Sequence, residues 1–228
     1  KDEDDNPVVK LGNKGMLYCQ LHVKTGNTDV HSMNAPVVPN AAWRLVQALN
    51  TLKDGKENIL IDGFYDDVLP ICPEEKEAWK KVPCPEERVK KRVGISHPVN
   101  DATGDEVNIA LYTRPSCNIW GIVSGYTGEG QKTVTPCDAS AKIDFRLVVA
   151  QDPNKIFSLL RSHLDRHGFS DVEVSITSAA APAKTSVTEK FVQVICRAAE
   201  DVYDKPLVVL PTAAGTGPRD VFSYTDMP

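Results

Sequence analysis

The chain has 228 residues, 41% hydrophobic and 25% charged, with 26 Lys plus Arg against 31 Asp plus Glu and a formal net charge of −5. These are ordinary globular values, sufficient for one large domain or two modest ones. The acidic balance has no basic stripe and argues against a nucleic-acid binder, and no apolar run approaches the ~18 residues of a membrane helix.

No signal-peptide pattern opens the chain. It begins at Lys1 rather than Met and is read as part of a longer protein. None of the six cysteines forms a C-x-x-C pair, so the expectation is reduced thiols in a cytoplasmic protein and no structural zinc site.

In chain order, Lys1 to Asn6 is a charged, frayed start. From Gly15 to Lys24 the residues alternate, with Leu17, Cys19, Leu21 and Val23 on one face, which predicts a half-buried strand. Pro39-Asn40 opens a helix with the stripe Ala42, Leu45, Val46, Leu49 and Leu52, ended at Asp54-Gly55. Residues 56 to 113, rich in Pro and mixed charge, read as a solvated helical insertion between core elements.

Asn118 to Val123 reads as a strand near a sheet edge, followed by a glycine-rich connection, Gly125 to Gly130. That connection lacks the Lys-Ser/Thr ending of a phosphate loop and opens no helix. Ala139, Ala141, Ile143, Phe145 and Leu147 alternate with Ser140, Lys142, Asp144 and Arg146, giving the clearest strand. Asp152-Pro153 caps a helix with the stripe Ile156, Leu159, Leu160, His163 and Leu164, stopped at Gly168. Val172, Val174 and Ile176 form a further strand.

The order strand, helix, strand, strand, helix, strand predicts an α+β fold: a ferredoxin-like four-stranded antiparallel sheet with two helices on one face. After a small-residue linker, Ser178 to Ala183, the box Ser186-x-x-Glu189 opens a helix with Phe191, Ile195, Ala198 and Val202 on one face. Leu207 to Leu210 then reads as a buried parallel strand, followed by Ala214-Gly215-Thr216-Gly217-Pro218 and a new helix, one partial α/β unit.

Several segments resemble a known family. Asp29-Val30-His31-Ser32 with the following helix, Gly63-Phe64-Tyr65-Asp66-Asp67-Val68, Arg114-Pro115-Ser116-x-Asn118-Ile119-x-Gly121-Ile122 and Gly125 to Val148 occur in the order and spacing of the zinc metallopeptidases that include carnosinase, aminoacylase and carboxypeptidase G. The last stretch includes Lys132-Thr133-Val134-x-Pro136 and Phe145-Arg146-Leu147-Val148, and is most similar to the dipeptidase branch. The resemblance runs from about Pro7 to Pro228.

It implies a two-domain enzyme whose catalytic domain holds a pair of zinc ions and carries an inserted lid that mediates homodimerisation. Residues 1–14 would be a connection from the catalytic domain, 15–183 the lid with an insertion at about 56–113, and 184–228 a partial catalytic segment. The family's His-x-Asp motif, Glu-Glu pair and late His have no counterpart here, so the metal ligands are expected outside this chain. Glu74-Glu75 and Glu86-Glu87 read as solvated charge, and the chain alone is expected to be inactive.

The resemblance also assigns roles. His31 would reach the partner subunit's site and hold the oxygen of the scissile carbonyl, with Met33 standing where the family usually has Gly. Arg146 would clamp the substrate's terminal carboxylate, with Thr133 and Gly215-Thr216 adding contacts. The plainer readings are a surface loop His31, a solvated Arg146 paired with Asp144, and ordinary turn chemistry at Gly215-Thr216. The substrate would be a dipeptide or N-acyl amino acid. His163 and His167 lack the Glu of a metalloprotease helix, and His163 reads as packing. A rival from another class is a non-catalytic ferredoxin-like module that dimerises or binds a small ligand.

Overall fold

The computed structural model describes residues 1–2 and 5–217. The helix expected after Pro218 lies outside them. The described residues form six α-helices and four sheets.

The chain opens with β1 (Val8–Lys10) and the short β2 (Gly12–Asn13), then the ten-residue β3 (Gly15–Lys24). After β4 (Val30–His31) comes α1 (Ala41–Asn50), with the Asn40 side chain accepting from the Trp43 N–H as N-cap. Three helices follow: α2 (Pro73–Lys80), α3 (Glu86–Val93) and α4 (Asp105–Thr113). Then come β5 (Ser116–Ser124), β6 (Val134–Thr135) and β7 (Asp138–Leu147). The end of the chain holds α5 (Pro153–Arg166), β8 (Glu173–Ala180), β9 (Ala183–Lys184), α6 (Lys190–Val202) and β10 (Val208–Leu210).

The largest sheet has the order β5-β7-β3-β8 with every neighbour antiparallel, so β5 is an edge, as its sequence suggested. Strict alternation on β3 and β7 sends Leu17, Leu21, Ile143, Phe145 and Leu147 to one fully buried face. There α1 packs over β3 and β7, and α5 over β3 and β8. The helical face is one residue off its predicted stripe. Ala41, Leu45, Ala48 and Leu49 are buried, while Val46 is exposed. The small Ala41 and Ala48 let the backbone approach the sheet, which the apolar count alone does not reveal.

Gly63 to Val68 is structural. Phe64 packs against Phe145 with ring centroids 5.7 Å apart, and the buried Gln151 donates to the Phe64 carbonyl at 2.8 Å. His163 is likewise a core residue, with Nε2 3.0 Å from the Thr51 carbonyl.

Four further expectations need correction. Residues 56–113 are not simply solvated: Ile59, Ile61 and Phe64 join the main core, while Trp79 and Val82 pack with Val208 and Leu210 in a second one. Glu75 pairs with Lys184 there rather than standing in water. The linker from Ser178 is instead the end of β8 followed by β9. The first described helix after it is capped by Glu189, while Ser186 Oγ accepts from the Thr188 N–H, one turn too early. The helix ending expected at Asp54-Gly55 falls earlier, at Thr51, and Asp54 instead accepts from the N–H groups of Lys56 and Asn58.

β10 pairs in parallel with β1, as expected of a buried α/β strand. The two segments that join this unit to the larger sheet run side by side, Gly12 opposite Lys184 and Asn13 opposite Ala183. Their approach needs glycine: a Cβ at Gly12 would stand 2.6 Å from the Ala183 carbonyl oxygen, and one at Gly15 2.6 Å from Pro182 Cδ.

Candidate functional site

His31 lies in β4, which pairs with β6 so that His31 opposes Val134. The next residue, Ser32, donates its N–H to the Thr133 carbonyl at 3.1 Å. Asp29 anchors this loop by accepting the Cys137 N–H at 3.0 Å, a bond that holds its carboxyl below the usual range. The structure thus brings His31 and Thr133 together, just ahead of β7 and both exposed.

His31 also caps the following turn, its Nδ1 accepting from the Met33 N–H at 3.1 Å. A neutral imidazole that accepts at Nδ1 carries its proton on Nε2. His31 therefore presents an N–H donor to solvent, the group an oxyanion site needs. Met33 is absent from the residues with left-handed backbone, so its replacement of the family's glycine imposes no strain.

Arg146 opposes Met16 near the other end of β7. Its Nη1 donates to Thr216 Oγ1 at 3.0 Å, its Nη2 donates to the Tyr18 hydroxyl at 3.0 Å, and its Nε lies 3.3 Å from Asp144. The pairing with Asp144 anticipated from sequence is therefore present, but as one of three contacts. Asn118 Nδ2 donates to the far Asp144 oxygen at 3.1 Å. A guanidinium held on three sides has already lost rotamer freedom that a ligand would otherwise have to freeze. Gly215 joins this end through its carbonyl, which accepts the Lys14 N–H at 3.1 Å. A Cβ at Gly215 would meet nothing within 4 Å, so space alone does not require glycine there.

Lys14 was missed by sequence reasoning. It is 4% exposed and its ammonium donates to the Leu111 and Arg114 carbonyls at 2.8 and 2.6 Å. Burial, with the nearby Arg146, pulls its pKa down to about 8. A lone lysine between Asn13 and Gly15 carries no periodic signal. Tyr18 was likewise visible only as an outward strand residue.

The two groups do not meet. Arg146 opposes Met16 and Asp138 opposes Lys24, eight residues apart along β3, about 27 Å at ~3.4 Å per residue. His31 and Thr133 belong to the Asp138 end, so the sequence pairing of Thr133 with Arg146 is not what the fold produces. Among the described residues, no group of three or more His, Cys, Asp or Glu side chains converges to hold a metal ion. Among the described residues, then, no ligand set fits the metal pair that the resemblance implies.

The Cys-Gly metallodipeptidase DUG1 of Saccharomyces cerevisiae is 31% identical over 160 residues, covering 70% of this chain and 33% of the relative. The Beta-Ala-His dipeptidase of Rattus norvegicus is 29% identical over 187 residues, covering 77% of this chain and 37% of the relative. The chain thus spans about a third of the length of these curated relatives.

The crystal structure of the M20 family metallo-carboxypeptidase Sso-CP2 from Sulfolobus solfataricus is 40% identical with a TM-score of 0.92, covering 98% of this chain and 58% of that one. Human carnosine dipeptidase 1, 24% identical with a TM-score of 0.83, shares the fold over 96% of this chain and 48% of its own. The family described as "Peptidase dimerisation domain" matches residues 11–172, a span that takes in three of the four strands of the large sheet, β3, β5 and β7, both of its helices and the His31 loop. The chain belongs to that peptidase dimerisation family.

Proposed function

We propose that this chain is the lid, with part of the catalytic domain, of a metal-dependent dipeptidase-like hydrolase. Residues 1–14 connect from the catalytic domain, 15–183 form the ferredoxin-like lid with its insertion at about 56–113, and 184–228 return to the catalytic domain. The parent hydrolyses a peptide or amide bond in a dipeptide or N-acyl amino acid, using two zinc ions bound by residues outside this chain, in the cytoplasm. This chain by itself is inactive.

The observation that carries the reading is the separation of the two groups to opposite ends of one sheet. A dipeptide places its carboxylate and its scissile carbonyl within about 5 Å of each other, roughly one residue's reach. Arg146 and His31 of the same chain cannot share it; Arg146 of one chain and His31 of a second can. Arg146, with the Thr216 hydroxyl and the Gly215 backbone, holds the carboxylate as a planar bidentate donor. His31 of the partner copy donates its Nε2–H to the carbonyl oxygen as negative charge develops there. Thr133 travels with His31 and also acts across the dimer.

The homodimer forms through the β5 edge and α1, where Ile119, Ile122, Trp43 and Val46 leave apolar surface exposed on one side of the sheet.

Mixed dimers test this. A full-length parent carrying His31→Ala is combined with one disabled at a metal ligand. Across the dimer, one site then has intact metal ligands and a good His31, so activity returns. Confirmed heterodimers that stay inactive while both variants remain folded would refute the trans role.

A further inference from the structure

β5 and β7 lose register between Ile119 and Gly121, because Ile119 opposes Ile143 while Gly121 opposes Lys142. Trp120 is the extra residue of this bulge. Trp120 shares with Asn118 the face that carries Arg146, away from the helices, and the bulge returns Ile122 beyond it to the face of Ile119. Trp120 remains 51% exposed. Its ring lies 6.4 Å from that of Tyr18, and the Lys142 ammonium sits 5.0 Å from its centre. Tyr18 in turn lies under the Arg146 guanidinium, 5.5 Å from ring centre to Cζ, and holds it by its hydroxyl.

Resting on the reading of Arg146 as the carboxylate clamp, we infer that Tyr18 and Trp120 form the subsite for the side chain of the substrate's C-terminal residue, and that it takes an aromatic or other large apolar side chain. That side chain branches from the carbon bearing the carboxylate, so it must lie against the groups beside the guanidinium. On the sheet these are the Tyr18 ring and then Trp120, two tilted aromatic faces that another ring can join. An acidic side chain would instead face Asp144, whose carboxylate stands 3.3 Å from Arg146 Nε. A glycine would leave both rings uncovered. Trp120 is a specificity-determining residue, and Tyr18 both lines the subsite and positions Arg146.

The test uses the metal-loaded full-length parent with Ala-Gly, Ala-Glu, Ala-Phe and Ala-Phe amide as substrates. The wild type should prefer Ala-Phe over Ala-Gly, with Ala-Glu poorest. Trp120→Ala should lower the ratio of kcat/KM for Ala-Phe over Ala-Gly about tenfold, mostly through KM, and Trp120→Phe should restore most of it. Should Trp120→Ala fail to fold or dimerise, Trp120→Gln carries the same expectation. A ratio that does not move in the folded variant, or a wild type that prefers Ala-Glu, would overturn the subsite while leaving the clamp intact. Arg146→Met separates the two claims. If it weakens Ala-Phe and Ala-Phe amide equally, the clamp itself is wrong and the subsite falls with it.

Discussion

At the Asp138 end of the large sheet, His31 and Thr133 stand on or beside two-residue strands with their side chains in solvent. At the Leu147 end, Arg146 is fixed by Tyr18, Asp144 and Thr216, and the buried Lys14 ties the neighbouring backbone together. The first end offers a donor and nothing for it to act on. The second holds an arginine already fixed on three sides, with His31 at the far end of the sheet. On the proposed reading a single chain carries two half-sites, and the difference in finish separates the half that would meet its ligand within the chain from the half that would meet it across a dimer.

The sharpest way to break this comparison is at the exposed end. In the full-length parent, His31→Ala should lower kcat by about 10²–10³-fold, the usual cost of losing one oxyanion donor, with dimerisation unchanged by light scattering. The paired substitution Val46→Lys and Ile122→Lys should cost as much by a different route, because a monomer has no partner donor. An active monomer would end the trans reading. At the finished end, Arg146→Met should raise KM about 10–100-fold for substrates with a free carboxylate, as expected for losing hydrogen bonds to a charged group. Substrates amidated at that end should be little affected, and kcat should move less than KM.

Tyr18→Phe removes one of the three contacts that hold Arg146. The expected rise in KM for free-carboxylate substrates is roughly fivefold, with kcat held. A fall in kcat with KM unchanged would show that Tyr18 does not act through the clamp.

The smallest effect concerns the stiffness of the His31 end. His22 lies 2.6 Å from Asp138 and 3.5 Å from Glu173. The hydrogen bond to Asp138, above all, raises its pKa. Its stabilising effect is therefore complete below the unfolded value of about 6.5 and lost as pH rises through the folded one. The gap in Tm between wild type and Asp138→Asn should be widest below that pH and narrow above it; a gap flat with pH would exclude the coupling. The pair is half exposed, so the effect is small.

The sheet and both of its helices were legible because apolar residues recur with periods that only a strand or a helix satisfies, as along β7 and α5. The candidate site residues were named through family resemblance, but where each stands relative to the others was not legible. Thr133 stands thirteen residues before Arg146, and only the pairing of β4 with β6 shows that it belongs with His31. What the sequence hid about Trp120 was its neighbour, since Tyr18 lies on β3, two strands away from β5. Ser186 fits a capping box, yet Glu189 takes the cap. The face predicted for α6, Phe191, Ile195, Ala198 and Val202, stays exposed and the helix buries Val192 instead, since periodicity says which residues align and not what covers them.

The tight crossing at Gly12 and Gly15 has a consequence for ancestry. Because Gly15 touches Pro182, the stretch between them leaves and re-enters the rest of the chain at one place. Joining two adjacent backbone ends is the least that splicing such a loop into a host asks, which is why insertions succeed where ends lie close together. A side chain at either glycine would push the two ends apart and spoil the splice. The pair of glycines is thus a seam, while Trp79 and Val82, packed on Val208 and Leu210, tie the same stretch to the rest of the chain a second time.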